Sequence, residues 1–248
     1  MDILVSEEAG VRTLHFGSSW VQGAMRIARP WNLELAYTRE MMACLLFRGF
    51  SNWPRKVLII GLGAGSLTKY LHRNCPDAQM TVVEIDPSVH VAAQMHFKFP
   101  DESRHLSVVY EDGADFVARC KQQFDLILVD GFDENARVGR LNSLEFYLNA
   151  KTCLKQDGLL VCNMLSKRKD YLTSLKRLGE SFDGEMIAFD SQDPGNVIAF
   201  AGHQPVFEGS LKDYKSAAFE LKEKTGLNLL PALTRWGLHT EHQIGIDD

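Results

Sequence analysis

Cysteine is scarce in this chain, and its five residues lie far apart, without any Cys-x-x-Cys pair. An odd number of separated cysteines does not fit a disulfide framework, so we expect reduced and partly buried thiols. The first eight residues carry neither a basic region nor a long apolar run, which argues against a signal peptide. These features together predict a cytoplasmic location.

Long hydrophobic runs and an excess of positive charge are also missing. No segment approaches the ~20 apolar residues that span a bilayer, so no membrane contact is expected. The formal net charge of −5 leaves no electrostatic footprint for nucleic acid. A mildly acidic surface suits a cationic substrate, although ordinary solubility is the simpler explanation.

The hydrophobic pattern divides the 248 residues into three regions. Residues 1–53 form a small N-terminal β-rich segment plus a helix, with three short strand patterns before residue 27 and helical spacing over 34–47. Residues 54–202, after the break at Asn52-Trp53-Pro54, form the main domain. Residues 203–248 form a C-terminal helical tail, with its helix over 211–224.

Strands and helices alternate through the main domain. Such βα units predict a doubly wound α/β sheet, mostly parallel, with helices on both faces and a ligand beyond the carboxyl ends of its strands. Two late strands have no long helix between them and predict an antiparallel hairpin. The strands are expected at 57–60, 80–83, 106–110, 124–129, 159–163, 184–189 and 197–201.

A glycine-rich turn, Gly61-Leu62-Gly63-Ala64-Gly65, follows the first strand of this domain and opens a helix. Glu84 ends the next strand, where its carboxylate can accept hydrogen bonds from both hydroxyls of a ribose. The dinucleotide fingerprint requires glycine where this chain has Ser66. The spacing resembles the S-adenosylmethionine-dependent methyltransferase-like fold instead, and a purely structural turn is the alternative.

Carboxylates also end the third and fourth strands. Asp112, before Gly113, is placed to accept from an adenine amino group or simply to cap the helix that follows. Asp130 and Asp133, three residues apart, can face one cavity, hold the ammonium groups of a polyamine and take a proton from it. The alternative for this pair is a surface turn that ends the strand.

The order of VLIIGLGAGS (57–66), VVEID (82–86), EDGADF (111–116) and LILVDGFD (126–133) resembles spermidine synthases and other polyamine aminopropyltransferases over roughly residues 16–165. Three further residues carry the resemblance. Gln22 resembles the family's Gln after its N-terminal strands, Tyr37 resembles the Tyr of the family's Tyr-His-Glu motif, and Tyr147 follows Phe146.

The resemblance implies an aminopropyl transfer from decarboxylated S-adenosylmethionine to a polyamine such as putrescine, with methylthioadenosine as product. It implies that Asp130 is the base and Asp133 holds the amine, while Tyr37 and Tyr147 line the amine pocket. Gln22, the Gly61, Gly63 and Gly65 turn, Glu84, Asp112 and Gly113 would bind the nucleoside. No tightly bound cofactor and no metal are expected, and His239 and His242 are interpreted as tail residues. Dimers are common in that family, which makes a homodimer an expectation.

Three positions depart from the family pattern. Ala64 stands where the family has an Asp that holds the donor's amino end, and Thr38 and Arg39 replace a His and a Glu. These changes keep two alternatives open: a methyltransferase using S-adenosylmethionine, and a non-catalytic protein that binds an adenosyl nucleoside. With an anion lost at Ala64 and a cation gained at Arg39, we expect weaker discrimination against S-adenosylmethionine as donor. The alternative is that Arg39 points to solvent and Ala64 only leaves room for water.

Overall fold

An antiparallel three-stranded sheet forms the N-terminal segment. The computed structural model describes residues 2–17, 20–133, 135, 137–207 and 209–237. The strands β1 (Ile3–Glu8), β2 (Val11–Phe16) and β3 (Val21–Arg26) pair in chain order, as the strand patterns predict. The outer strand β1 is largely exposed, whereas β3 buries its centre against the main domain.

The helix predicted over 34–47 is broken in two. It consists of α1 (Ala36–Met41) and α2 (Cys44–Arg48). Between them the N–H groups of Met42 and Ala43 donate to carbonyls three residues back, at Arg39 and Glu40. Such i→i+3 bonds tighten a helix end, so the continuous helical prediction was wrong at this point.

The main domain is built on a seven-stranded sheet with the order β6-β5-β4-β7-β8-β10-β9. The first five neighbours in that order pair in parallel, and β10 pairs antiparallel with both β8 and β9, which confirms the predicted hairpin. The strands are β4 (Lys56–Ile60), β5 (Gln79–Glu84), β6 (Leu106–Tyr110), β7 (Phe124–Val129), β8 (Leu154–Leu165), β9 (Met186–Asp190) and β10 (Asn196–Gly202).

Helices cover both faces of this sheet, so its central strands are buried on each side. They are α3 (Ser66–Asn74), α4 (Pro87–Phe97), α5 (Gly113–Arg119), α6 (Leu144–Thr152) and α7 (Tyr171–Ser181). After β4 the chain adds β5 and β6 on one side of that strand, and it later adds β7 on the other side. The doubly wound α/β fold is therefore confirmed, and its switch point lies between β4 and β7, where such folds bind ligands.

Two helices follow the sheet. The first, α8 (Leu211–Thr225), matches the predicted tail helix, and the second, α9 (Leu230–Trp236), was not predicted. The Trp236 ring stacks on Phe189 with centroids 4.4 Å apart, which ties α9 to the sheet edge. His239 and His242 lie outside the described residues. Within those described, no helix has the length and apolar character to cross a membrane.

Candidate active site

A cavity of about 250 Å³ opens beyond the carboxyl ends of β4, β5, β6 and β7, at the switch point. The N-terminal sheet and α1 close it on the other side. Most of the residues singled out from the sequence line it: Gln22, Tyr37, Gly61, Gly63, Glu84, Asp112, Gly113, Asp130 and Asp133. The topology thus brings strand ends that are distant in sequence to one place.

The glycine-rich turn approaches its neighbours too closely for side chains. Gly61 has a φ of +92°, and a Cβ there would lie 2.3 Å from the carbonyl oxygen of Asp130. Gly65 has a φ of +68° as N-cap of α3, and its missing side chain leaves room for the ring of Phe99. Gly65 does not line the cavity, so it shapes the turn rather than the cavity wall.

Glu84 ends β5 with a carboxylate that is only 7% exposed. Its Oε2 accepts from the N–H of Leu62 (2.9 Å) and its Oε1 from the N–H of Asp86 (3.0 Å). Burial raises its pKa, and the backbone hydrogen bonds act in the opposite direction. The carboxylate thus holds the glycine-rich turn, and each oxygen keeps a second lone pair for a ligand.

Asp112 ends β6 and caps α5 with its Oδ1, which accepts from the N–H of Ala114 (2.7 Å). Its Oδ2 accepts from the Arg140 guanidinium (3.4 Å), which also pairs with Asp115 (2.6 Å). The capping alternative considered for Asp112 is therefore realised. It leaves the adenine role open, because the residue also lines the cavity.

Asp130 follows β7 and is held by two neutral donors. The Asn163 amide donates to Oδ1 (2.9 Å) and the Tyr37 hydroxyl to Oδ2 (3.1 Å). Burial raises the pKa of Asp130, and these two hydrogen bonds oppose the rise. Burial and then the Asp130 charge raise the pKa of Tyr37 well above its usual value. Tyr37 therefore remains a hydrogen-bond donor to a carboxylate suited to accept a proton.

Residues far along the sequence hold Asn163 and Tyr37 in place. The side-chain oxygen Oδ1 of Asn163 accepts from the side-chain amide Nδ2 of Asn196 (2.8 Å), which fixes the orientation of the Asn163 side chain. The backbone N–H of Tyr37 donates to Asp193 Oδ2 (2.9 Å). Asn163 was missed as a site residue, although the predicted fifth strand ends on it beside the strand of Asp130.

Asp133 is engaged within its own loop. Its Oδ1 accepts from the N–H groups of Asn135 and Arg137, both at 2.8 Å, and its Oδ2 accepts from the Arg137 guanidinium (3.1 Å). Gln22 reaches the Asp133 carbonyl oxygen (3.4 Å) from β3. Arg137 also lines the cavity, so an amine bound by Asp133 has to share this carboxylate with a cation.

Tyr147 does not reach this cavity. It lies on α6, is 2% exposed and packs in the core between the sheet, α6 and α7. It lines a smaller neighbouring cavity at the carboxyl ends of β7 and β8, together with Val129 and Asn163. Its role in an amine pocket stays a prediction, because the smaller cavity and the main one share Val138 and Leu141 in their walls.

The three departures have separate outcomes. Ala64 and Thr38 line the cavity, and both are buried. Arg39 does not, because its guanidinium donates to the carbonyl oxygens of Leu33 (3.3 Å) and Glu34 (2.8 Å). The prediction that Arg39 places a cation at this site was wrong. The cations that do line it are Arg137 and Arg140, in the loop after β7.

Comparison with known proteins gives a consistent result. The family model for the spermine/spermidine synthase domain matches residues 34–197. A polyamine aminopropyltransferase of Neisseria meningitidis serogroup A is 33% identical over 227 residues, covering 92% of this chain and 86% of the relative. A polyamine aminopropyltransferase of Chromobacterium violaceum is 34% identical over 226 residues, covering 91% and 85%.

Solved structures share the fold at lower identity. Human methyltransferase-like protein 13 in complex with SAH has a TM-score of 0.70 at 22% identity, covering 78% of this chain and 93% of that one. Spermidine synthase from Thermotoga maritima has a TM-score of 0.63 at 18% identity, covering 91% and 88%. At these identities the likenesses concern the fold alone.

Proposed function

The chain belongs to the spermine/spermidine synthase family, and we propose that it is a polyamine aminopropyltransferase. One observation carries the proposal: a buried carboxylate, Asp130, faces the same cavity as Glu84 and Asp112. In this proposal, a base and two carboxylates that bind the nucleoside lie together at the switch point of the sheet.

We infer that the donor is decarboxylated S-adenosylmethionine, bound across the ends of β4, β5 and β6. Glu84 accepts from the ribose hydroxyls with its free lone pairs, and Asp112 accepts from the adenine amino group. The turn at Gly61 and Gly63 allows the backbone to approach the donor closely. These assignments rest on the position of each residue in the cavity and on the hydrogen-bonding capacity that remains to it.

Asp130 acts as the base. An alkyl ammonium has a pKa of about 10.4, so an amine must lose a proton before it can attack. Asp130 accepts that proton while the nitrogen attacks the aminopropyl carbon bonded to sulfur. The new C–N bond forms, the C–S bond breaks, and its electron pair stays on sulfur, which leaves neutral methylthioadenosine. Because the sulfonium supplies the leaving group, the protein mainly has to position the reactants and manage the proton.

Putrescine is the proposed acceptor. Asp133, which lines the cavity three residues after Asp130, is placed to hold its second amino group if Arg137 moves aside. Tyr37 faces the same end of the cavity. A homodimer stays a prediction, which light scattering after gel filtration would check.

The decisive experiment is a product assay. The purified protein is incubated with putrescine and either decarboxylated S-adenosylmethionine or S-adenosylmethionine, and products are identified by mass spectrometry. The proposal expects spermidine and methylthioadenosine in equal amounts from the decarboxylated donor. Methylated amine and S-adenosylhomocysteine from S-adenosylmethionine, with no spermidine, would identify a methyltransferase instead.

A further inference from the structure

The buried hydroxyl of Thr68, on α3, makes no hydrogen bond to the residues that the structure describes. The residue is 1% exposed. It nevertheless lines the cavity. Buried hydroxyls in folded proteins are nearly always hydrogen-bonded, so an unpaired hydroxyl on a residue that lines a cavity calls for a ligand.

Other helical threonines show what Thr68 lacks. The hydroxyls of Thr152, Thr225 and Thr234 each donate to the carbonyl four residues earlier, at 2.7–2.9 Å. Thr68 is the third residue of α3, so the residue four positions earlier is Ala64, in the turn before the helix. The usual internal acceptor is therefore not used, and the hydroxyl remains available to a ligand.

Charge is distributed unevenly around the cavity. The lining carboxylates stand at and just after the ends of the strands, as Glu84, Glu111, Asp112, Asp130 and Asp133. The wall formed by α1, the turn before α3 and α3 itself is uncharged, with Thr38, Ala64, Ser66 and Thr68. A ligand group directed at this wall meets hydroxyls and a methyl group rather than an anion.

We propose that Thr68 binds the amino group at the end of the donor's aminopropyl arm, by a hydrogen bond and without an ion pair. The inference rests on the proposed function, in which the donor lies against the turn at Gly61 and Gly63, and it adds that the donor's sulfur lies over this turn, which leads into α3. An arm that extends from this sulfur toward α3 passes Ala64 and ends at Thr68. The amino group at the end of the arm is protonated at neutral pH and can only donate, so the Thr68 hydroxyl would accept from it. The same hydroxyl can donate to, or accept from, a hydroxyl group in that place. The subsite therefore recognises hydrogen bonding rather than positive charge.

Calorimetry tests this proposal without requiring turnover. The three ligands are decarboxylated S-adenosylmethionine, methylthioadenosine and a donor analogue with a hydroxyl in place of the amino group. Methylthioadenosine lacks the aminopropyl arm. Thr68→Val keeps the shape and removes the hydroxyl, and Thr68→Ser keeps the hydroxyl. Because one lost hydrogen bond is worth about tenfold in affinity, Thr68→Val should weaken the decarboxylated donor about tenfold. It should leave methylthioadenosine within about twofold.

The controls separate binding from folding. Thr68→Ser should retain the wild-type affinities, and the wild type should bind the hydroxyl analogue within about threefold of the amine. Thr68→Val should have a Tm at least equal to that of the wild type, because it removes an unpaired buried hydroxyl. Thr152→Val, which removes a hydroxyl bonded to its own helix, should change none of the three affinities.

Several results would overturn the inference. The first is an unchanged affinity ratio between the decarboxylated donor and methylthioadenosine in Thr68→Val. The second is wild-type protein that binds the hydroxyl analogue more than about tenfold more weakly than the amine. The third is a raised KM for putrescine in Thr68→Val with donor affinity unchanged. The last result would assign the subsite to the acceptor. Failure of the wild type to bind methylthioadenosine would overturn the proposed nucleoside site itself, which is a distinct outcome.

Discussion

Replacing Asp130 by asparagine should lower activity and raise stability at the same time. The proposed base would lose its ability to accept a proton, which in general acid–base catalysis costs about 10²–10⁴ in turnover. The amide keeps the size of the carboxylate, and its oxygen can still accept from Asn163 or Tyr37. Binding of methylthioadenosine should therefore remain close to that of the wild type.

The gain in stability follows from the surroundings of Asp130. The carboxylate is buried with two neutral donors, and no cation pairs with it among the residues that the structure describes. A buried charge without a counter-charge is unfavourable, so the neutral amide should stabilise the fold. A gain of about 1 kcal/mol, typical when a strained functional residue is replaced, raises Tm by about 2–4 °C in a chain of this size.

The pH dependence provides an independent check. Because burial raises the folded-state pKa of Asp130, the folded protein keeps this proton at pH values where the unfolded chain has lost it. Wild-type stability thus falls as pH rises from the ordinary carboxyl pKa through the raised one, and the penalty is complete above it. The Tm advantage of Asp130→Asn should be full above the raised pKa and should disappear below the ordinary carboxyl pKa. Wild-type kcat/KM should fall as Asp130 becomes protonated on the acid side.

Asp125 provides a matched control on the same strand. It is also buried, but it accepts from the N–H groups of Arg55 (2.9 Å) and Lys56 (2.6 Å) and pairs with Lys155 (2.7 Å). Asp125→Asn should therefore cost about 1–3 kcal/mol of stability, because charged hydrogen bonds are lost, and should leave turnover of the folded protein unchanged. Thermal denaturation and steady-state assays on both variants decide the matter. A less stable but fully active Asp130→Asn protein would refute the reasoning on both counts.

Three further predictions concern other parts of the site. Glu84→Gln should weaken methylthioadenosine binding by about 1.5–3 kcal/mol in calorimetry, because a charged acceptor becomes neutral, and unchanged affinity would remove Glu84 from the ribose site. Gly61→Ala should lower the free energy of unfolding by at least about 2–3 kcal/mol in urea denaturation, because its Cβ would contact the Asp130 backbone. Gly226→Ala, at a φ of +77° with open space around it, should lower it by about 1 kcal/mol. Equal losses would contradict this packing argument. Arg235→Ala should lower the free energy of unfolding by about 3–5 kcal/mol because it leaves buried Glu40 unpaired, and a further Glu40→Gln change should recover part of the loss; additive losses would contradict the pairing.

The residues that the sequence located well are those at the ends of parallel strands. Glu84, Asp112 and Asp130 each follow an apolar run, and parallel strands deliver their carboxyl ends to one edge of the sheet. Local pattern and topology together are enough to place such residues in one cavity. The same reasoning identifies the glycine-rich turn, because strand, turn and helix are contiguous in the chain.

Side chains whose position depends on distant packing could not be placed in this way. Tyr147 was expected beside Tyr37, but the packing of α6 turns its side chain into the core and toward the smaller cavity. Arg39 was assigned to the cavity wall, but the carbonyl oxygens of the preceding residues hold its guanidinium. The bonds of Asp130 to Tyr37 and Asn163 cross 93 and 33 residues, and no local pattern encodes such pairings.

The helix α1 is held by residues that are synthesised much later, and this affects the order in which the site forms on the ribosome. The backbone of Tyr37 is held by a residue 156 positions later, and Glu40 is paired with one 195 positions later. At about 5–20 residues per second, roughly 10–40 s of translation separate Glu40 from Arg235. Until then a nascent chain can form the nucleoside side of the cavity, because β4 to β7 and their connecting helices precede residue 130. The wall behind Tyr37 is completed only when Arg235 has left the ribosome, so a ribosome-bound chain is expected to bind the nucleoside before it can catalyse transfer.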